Sequence, residues 1–307
     1  MSAVALHSLS FELGNTQREV LSIDGVEGQF KRAGLPANTK MLGCRYFYEA
    51  RQPLEEMISA TMSRTLADAA LDASEIDAFV FASARHTAES LDRSFVQRLL
   101  QKHGLQRAMP LAVSLQECLS LLTAIDVATR SLQDEDMRSA LVVCFDVTPS
   151  DDDRVAPYGV LSDAASSCIV SKGRSGLQIL GYASGYDWQG ATGTDDFNVR
   201  TRLGQSVLKK SLQRAGLQPQ QLSKVFSTNF FEPISKVYAA ALSLKQVYTR
   251  TAASYGHCAC SDPIINMLDY LHSNPAASGE HFMLQSYAPG FMAMLPLRAT
   301  GRGVVAS

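Results

Sequence analysis

The chain repeats itself at about half its length, and that repetition limits the architectures open to it. The segment LDASEIDAFVFA, beginning at Leu71, can be laid on LQPQQLSKVFST, beginning at Leu217. Each follows a helical stretch, crosses a polar turn, reaches Ile76 or Leu222 and enters an apolar strand. A second pair, ALVVCFD from Ala140 and HFMLQSY from His281, shares the same pattern. The first pair lies 146 residues apart and the second 141, in a chain of 307. Two matches at nearly one offset favour two related halves.

Short β-rich runs alternate with longer helical stretches, the pattern of an α/β protein. Strands are predicted at Ala78–Ala82, Ala140–Phe145, Ser167–Val170, Leu177–Tyr182, Lys224–Ser227, His281–Ser286 and Phe291–Leu297. Helices are predicted at Leu54–Ala73, Ser90–His103, Leu119–Gln133, Thr201–Ala215, Ile234–Leu244 and Pro263–His272. The junction is placed in the loop Lys172–Ser175, giving an N-terminal half, 1–173, and a C-terminal half, 174–307. No low-complexity linker marks it, so the halves are expected to share one body.

At 46% hydrophobic residues the chain can build a core without disulfides or metal staples. Its 28 Lys and Arg against 30 Asp and Glu show no basic excess, which argues against a general nucleic-acid binder. Apolar stretches such as Phe291–Leu297 fall far short of the roughly 18 residues of a membrane span. Residues Met1–Leu13 lack the basic and apolar regions of a signal peptide, so a cytoplasmic protein is expected. The six scattered cysteines fit that compartment, which keeps thiols reduced.

Two places carry chemistry. In SLQECLSLLTAIDVATRSL a polar extended segment turns into an amphipathic helix at Cys118. A thiol at a helix N-terminus gains thiolate character from the dipole, and its own N–H can serve a developing oxyanion. Glu117 opposes this by setting an anion beside the sulfur, which makes a paired imidazolium more necessary. The second place is Tyr255-Gly256-His257-Cys258-Ala259-Cys260-Ser261-Asp262. Gly256 allows a sharp turn that presents His257, and Asp262 is near enough to orient the other ring nitrogen. Cys118, His257 and Asp262 would form nucleophile, general base and orienting carboxylate. A metal on His257, Cys258 and Cys260 is not expected, because no second ligand cluster stands at zinc spacing. Asp151–Asp153 reads as a solvated loop, and Gly190-x-x-Gly193 as a turn without the lysine of a phosphate loop.

With these residues in place, nearly the whole chain resembles the thiolase-fold β-ketoacyl carrier-protein synthases of type III. LQECLSLLTAIDVA resembles that family's nucleophile turn and ALVVCFDVTPS its next strand. Leu161-Ser162-Asp163-Ala164-Ala165 resembles its F-G-D-G-A segment, Ser254–Ser261 falls on its G-N-T-S motif, and Gln285–Phe291 on its glycine-rich C-terminal turn. The resemblance implies a thiolase-like α/β fold, two pseudo-repeated halves in a five-layer α-β-α-β-α arrangement. It implies no permanently bound cofactor; the substrate is an acyl-coenzyme A or acyl carrier protein thioester with its phosphopantetheine arm.

Condensing members of that family use Cys, His and Asn. Here Thr228, or Asn229 with the alignment shifted by one, stands where the family has His, and His257 stands at the Asn position. A branch of acyltransferases in natural-product pathways has this rearrangement, with Asp five residues after the His, as Asp262 is here. Thr228 and Asn229 remain secondary candidates. Pro289, lacking an N–H, interrupts the glycine run that supplies an oxyanion donor, which leaves that role to Gly290 or to Cys118 itself. The resemblance therefore implies acyl transfer through a Cys118 acyl-enzyme to a small-molecule hydroxyl, amine or thiol. The alternatives are decarboxylative carbon–carbon condensation, or a non-catalytic subunit beside an active paralogue. The expected partners are a carrier protein or coenzyme A thioester and a second subunit in a homodimer, with a heterodimer as the alternative. The loops Ala84–Ser94 and Gly185–Phe197, with Arg85, His86, Tyr186 and Trp188, are candidates for shaping the acyl site. Lys209, Lys210 and Arg214 are candidates for a carrier-protein dock.

Overall fold

The computed structural model describes residues 3–194 and 197–301. Ten strands follow one another across a mixed sheet in the order Val247–Tyr248, Leu222–Phe226, His281–Ala288, Phe291–Ala299, Leu177–Ile179, Val4–Leu13, Ala164–Lys172, Ser139–Asp146, Ala78–Ala82 and Met109–Val113. An eleventh, Ala183–Tyr186, pairs with Phe291–Ala299 off this path. The order outward from the middle is the same on both sides: two antiparallel pairings, then two parallel ones. The two series meet antiparallel at Ala5 with Gln178 and Leu6 with Leu177. Ala140 pairs with Ala78, and His281 with Leu222. The repeated segments thus occupy matching places in two copies of one strand order.

Alternation along each strand gives the sheet two apolar faces. Phe79, Phe81, Leu141, Val143 and Phe145 pack with residues of the helices Leu54–Ala69 and Arg93–Lys102. The intervening Val80, Val142 and Cys144 face inward with the helix Ser120–Ser131. In the other half Val225, Met283, Met292 and Met294 pack with the helix Phe197–Ala215, while Phe226, Phe282, Leu284 and Leu295 face inward with the helix Asp262–Ser273. The inner faces and the two inner helices share one apolar cluster, so the layers run helix, sheet, helix, sheet, helix. Fully burying a side chain of this size contributes about 1.5–3 kcal/mol. Among the described residues no helix is long and apolar enough to cross a membrane.

Several boundaries differ from those predicted, each for a local reason. The first long helix stops at Ala69, because Ala70 turns left-handed at φ 48°. The second begins at Arg93, where Asp92 caps it by accepting the Ser94 N–H. Glu232–Ala241 starts earlier than predicted and carries Pro233 in its first turn, where no N–H is needed. Four sheet strands lie outside the predicted set, among them Ala183–Tyr186, which begins just after the predicted Leu177–Tyr182. In Val4–Leu13 the polar His7, Ser8 and Ser10 interrupt the apolar alternation, and the register shifts between His7 and Ser10. Met109–Val113 contains Pro110, which an edge strand tolerates. Val247–Tyr248 is too short to announce itself.

Candidate active site

The edge strand Met109–Val113 leads into a turn in which Leu115 and Glu117 hold left-handed φ values of 68° and 49°. A 3₁₀ turn, Glu117–Leu119, then runs into the helix Ser120–Ser131. Cys118 sits in that turn, 5% exposed, where the helix dipole favours an anion. Each left-handed non-glycine residue costs about 1–2 kcal/mol, so the turn needs holding. The Glu117 carbonyl accepts from the Ser120 hydroxyl at 3.0 Å and from the Cys260 thiol at 3.2 Å.

His257 is presented by the corresponding stretch of the second half, after the edge strand Val247–Tyr248 and the short helix Ala252–Tyr255. Gly256 before it has φ 71°, and a Cβ there would stand 2.8 Å from the Val160 carbonyl. Only glycine fits both conditions. The His257 N–H donates to the Val160 carbonyl at 2.8 Å, and its own carbonyl accepts from the Ser162 N–H at 2.9 Å, so the backbone is clamped like a short parallel bridge. The ring spans two partners: Nε2 lies 3.4 Å from Cys118 Sγ, and Nδ1 lies 2.6 Å from Asp262 Oδ2. Asp262 is the first residue of its helix and also accepts the N–H groups of Cys258 and Asn229, both at 2.8 Å. All three side chains are buried.

Burial acts to lower the His257 pKa, yet the Asp262 carboxylate and the Cys118 sulfur outweigh it and lift it to about 10. Burial pushes the Cys118 thiol up, while His257 pulls in the opposite direction. The proton of the sulfur therefore has a prepared destination on Nε2, where Asp262 stabilises the resulting imidazolium.

Cys118 and His257 form the floor of a cavity of about 660 Å³. Its walls include Glu117, Arg85, His86 and Tyr158, and its rim the exposed Arg32, Asp152 and Asp153. The Tyr158 ring stands edge-on to His257 at 5.5 Å. Asp146, absent from the sequence-based candidates, also reaches this floor. Its Oδ1 accepts from the Ser83 hydroxyl at 3.1 Å and the Ala84 N–H at 2.8 Å, and its Oδ2 accepts from the Cys260 N–H at 3.1 Å. Burial pushes its pKa up to about 6. The available signal was an acidic residue closing a fully apolar strand at its carboxyl end, where sites of α/β sheets gather.

The grouping of Cys258 and Cys260 with His257 dissolves in the structure. Cys258 Sγ turns to the Tyr255 carbonyl at 3.7 Å, and Cys260 Sγ to Glu117. Among the described residues one set has metal-ligand composition, Cys144, Asp146 and Cys260, whose ligand atoms lie within 4.8 Å of one another. Both oxygens of its carboxylate already accept hydrogen bonds.

The secondary candidates are engaged elsewhere. The Thr228 hydroxyl accepts the Tyr287 N–H at 3.1 Å. The Asn229 amide donates to Thr251 Oγ1 and the Gly256 carbonyl, and its oxygen accepts from Asn266. Gly290 packs against Asp187 and Ala191 at a hairpin tip, and its carbonyl accepts the Asp187 N–H. None of the three lines the cavity. Of the two loops expected to shape the acyl site, the first brings Arg85 and His86 to the cavity. The second leaves Tyr186 and Trp188 exposed away from it, and its residues 195 and 196 lie outside the described residues. Lys209 and Lys210 are exposed on their helix, whereas Arg214 donates to the Tyr182 carbonyl.

No protein-family model matches the chain, and no curated protein does. Solved structures do. ChlB3, described as an acyltransferase, superposes with a TM-score of 0.83 at 16% identity, covering 99% of this chain and 100% of that one. The 3-oxoacyl-[acyl-carrier-protein] synthase III of Aquifex aeolicus gives 0.80 at 16% identity, over 96% of this chain and 99% of its own. A variant of OleA from Xanthomonas campestris gives 0.80 at 14%, over 96% and 98%. Likeness at these identities speaks of architecture, and together with the duplicated strand order and the five layers it identifies the fold of this chain as the thiolase-like fold of those three proteins.

Proposed function

We propose that this chain is an acyltransferase that works through a cysteine acyl-enzyme. The observation that carries the reading is the relay from Cys118 Sγ to His257 Nε2 and from Nδ1 to Asp262, at the floor of a cavity large enough for a substrate. His257 takes the thiol proton, and the thiolate attacks the carbonyl of an acyl thioester presented by coenzyme A or the phosphopantetheine arm of a carrier protein. The donor's sulfur leaves with the bonding electron pair and is protonated by the imidazolium. An acceptor hydroxyl, amine or thiol then attacks the Cys118 thioester, and the enzyme sulfur is released in turn. The oxyanion donor is the Cys118 N–H at the head of its helix, since Gly290 is turned into the hairpin.

Transfer is favoured over decarboxylative condensation because neither sequence-based candidate for the second enolate-stabilising donor lines the cavity. The Thr228 hydroxyl accepts from the Tyr287 backbone away from the cavity, and both N–H donors of the Asn229 amide are already spent on Thr251 and Gly256. The description of ChlB3 as an acyltransferase supports the same direction. The test is intact-protein mass spectrometry after exposure to a panel of acyl thioesters, on wild type and Cys118→Ala. A stable mass increment on the wild type alone is expected. An increment that persists in Cys118→Ala, or none with any coenzyme A or carrier-protein donor, overturns the reading. Release of carbon dioxide from malonyl donors would replace transfer by condensation.

A further inference from the structure

The cavity holds a carboxylate that this mechanism leaves unused. Glu117 precedes the nucleophile, is half-buried and lines the cavity. It also lies close enough to Tyr158 to act on that phenol electrostatically. Asp146 spends both oxygens on Ser83, Ala84 and Cys260, and Asp152 and Asp153 stand exposed at the rim. Glu117, by contrast, has no hydrogen bond or ion pair to its side chain among the described residues. Its backbone is nonetheless held in a left-handed conformation by two donors to its carbonyl, which fixes where the side chain leaves the chain, one residue before Cys118. A cation arriving in the cavity would supply the partner that this carboxylate lacks.

Resting on the acyltransferase reading, we propose that Glu117 is the acceptor-binding residue of the cavity and that the acceptor is a primary amine, which arrives as the ammonium ion. Glu117 accepts a hydrogen bond from the ammonium group and takes one proton from it. The neutral nitrogen attacks the Cys118 thioester, a C–N bond forms, and the C–S bond breaks with its electron pair going to sulfur. The second nitrogen proton reaches that sulfur through His257, and the proton on Glu117 is released to solvent. The same charge disfavours anionic groups at this point, including the free carboxylate of a malonyl donor.

The experiment forms the acetyl-enzyme from acetyl-coenzyme A, removes the donor, and follows deacylation by n-butylamine and by n-butanol in wild type and Glu117→Gln. The expected result is that the ratio of the amine KM to the alcohol KM rises about tenfold or more in Glu117→Gln. A ratio within twofold of wild type overturns the proposal. The second measurement needs no acyl donor: binding of butylammonium, read by ligand NMR line broadening, to Cys118→Ala and to Cys118→Ala/Glu117→Gln. Saturable binding weakened at least fivefold by the added substitution supports the proposal, and equal or absent binding in both overturns it. Failure of acetyl-coenzyme A and every other thioester to load Cys118 counts against the acyl-enzyme, and the binding measurement still decides the role of Glu117.

Discussion

Replacing Asp262 by Asn changes one atom's chemistry at the point where three donors converge. In the native chain Oδ2 receives His257 Nδ1 at 2.6 Å and the Asn229 N–H at 2.8 Å, and Oδ1 receives the Cys258 N–H at 2.8 Å. An asparagine offers an acceptor at one position only. If its oxygen faces His257, its NH₂ opposes the Cys258 N–H, and one buried donor is left unmet at about 1–3 kcal/mol. If it flips, Nδ1 must become an acceptor, and the ring then directs Nε2–H at the sulfur and can no longer take its proton. Loss of the carboxylate also removes the largest influence lifting His257 to about 10. The neutral ring is then a weaker base for the thiol proton, and because Asp262 raises the pKa of both His257 and Cys118, the acidic limb of the loading profile moves to lower pH. The expected drop in acyl loading at neutral pH is about 10²- to 10⁴-fold. Rapid-quench loading followed by intact mass, across pH 5 to 10, measures both effects. A variant that loads within threefold of wild type, with its acidic limb in place, would refute the relay.

Three further expectations use parts of the fold away from that carboxylate. Gly256→Ala combines a left-handed φ with a Cβ 2.8 Å from the Val160 carbonyl, so thermal denaturation should show a larger loss than Gly279→Ala, where φ is 88° but the space is open and only about 1 kcal/mol is at stake; equal losses would contradict the steric account. His7 is lowered to about 4 by burial, with Arg174 adding to it. Its contribution to stability is present in full above the unfolded value of 6.5 and is lost as pH falls toward 4, so urea unfolding should weaken across that window and weaken less in His7→Gln. At the sheet edge Met109 is 58% exposed, Leu111 36% and Leu115 88%, an apolar border that a second subunit would cover by strand pairing. Light scattering should give a dimer for wild type and a monomer for Leu111→Glu; a monomeric wild type at micromolar concentration would end that expectation.

What the sequence disclosed depended on whether a residue's role was local. Helices with strong apolar periodicity were placed to within a turn, because burial of one face sets their extent. The strand Val4–Leu13, which lies at the join of the two halves, escaped notice because His7, Ser8 and Ser10 interrupt the alternation. His7 and Ser10 are reconciled with burial by partners far off in the chain, Ser171 for His7 and Arg64 for Ser10. The Gly256–His257 turn and the spacing of His257 to Asp262 were legible because both are short-range. Asp146 was not, since its donors come from Ser83, Ala84 and Cys260, three places that only the fold brings together. For Thr228 and Asn229, position in a motif says where a residue falls in the chain, whereas the fold decides what it faces: both are buried away from the lining of the cavity.

The duplication also accounts for why Cys118 and His257 meet at all. In each half the parallel edge strand is followed by a turn and then by an inner helix: Met109–Val113, Cys118 and Ser120–Ser131 in one, Val247–Tyr248, His257 and Asp262–Ser273 in the other. Each turn contains a left-handed non-glycine residue, Glu117 in the first and Ala259 in the second. Because the two copies share one central layer, their turns lie against each other, and the Cys260 thiol bridges them by donating to the Glu117 carbonyl. One structural unit thus serves twice, with a thiol at the head of one inner helix and an imidazole before the head of the other. Asp262 can orient that imidazole only because it opens its own helix, where two backbone N–H groups already hold its carboxylate. Among the described residues the side-chain hydrogen-bond partner of Cys118 is His257, and it comes from the other copy.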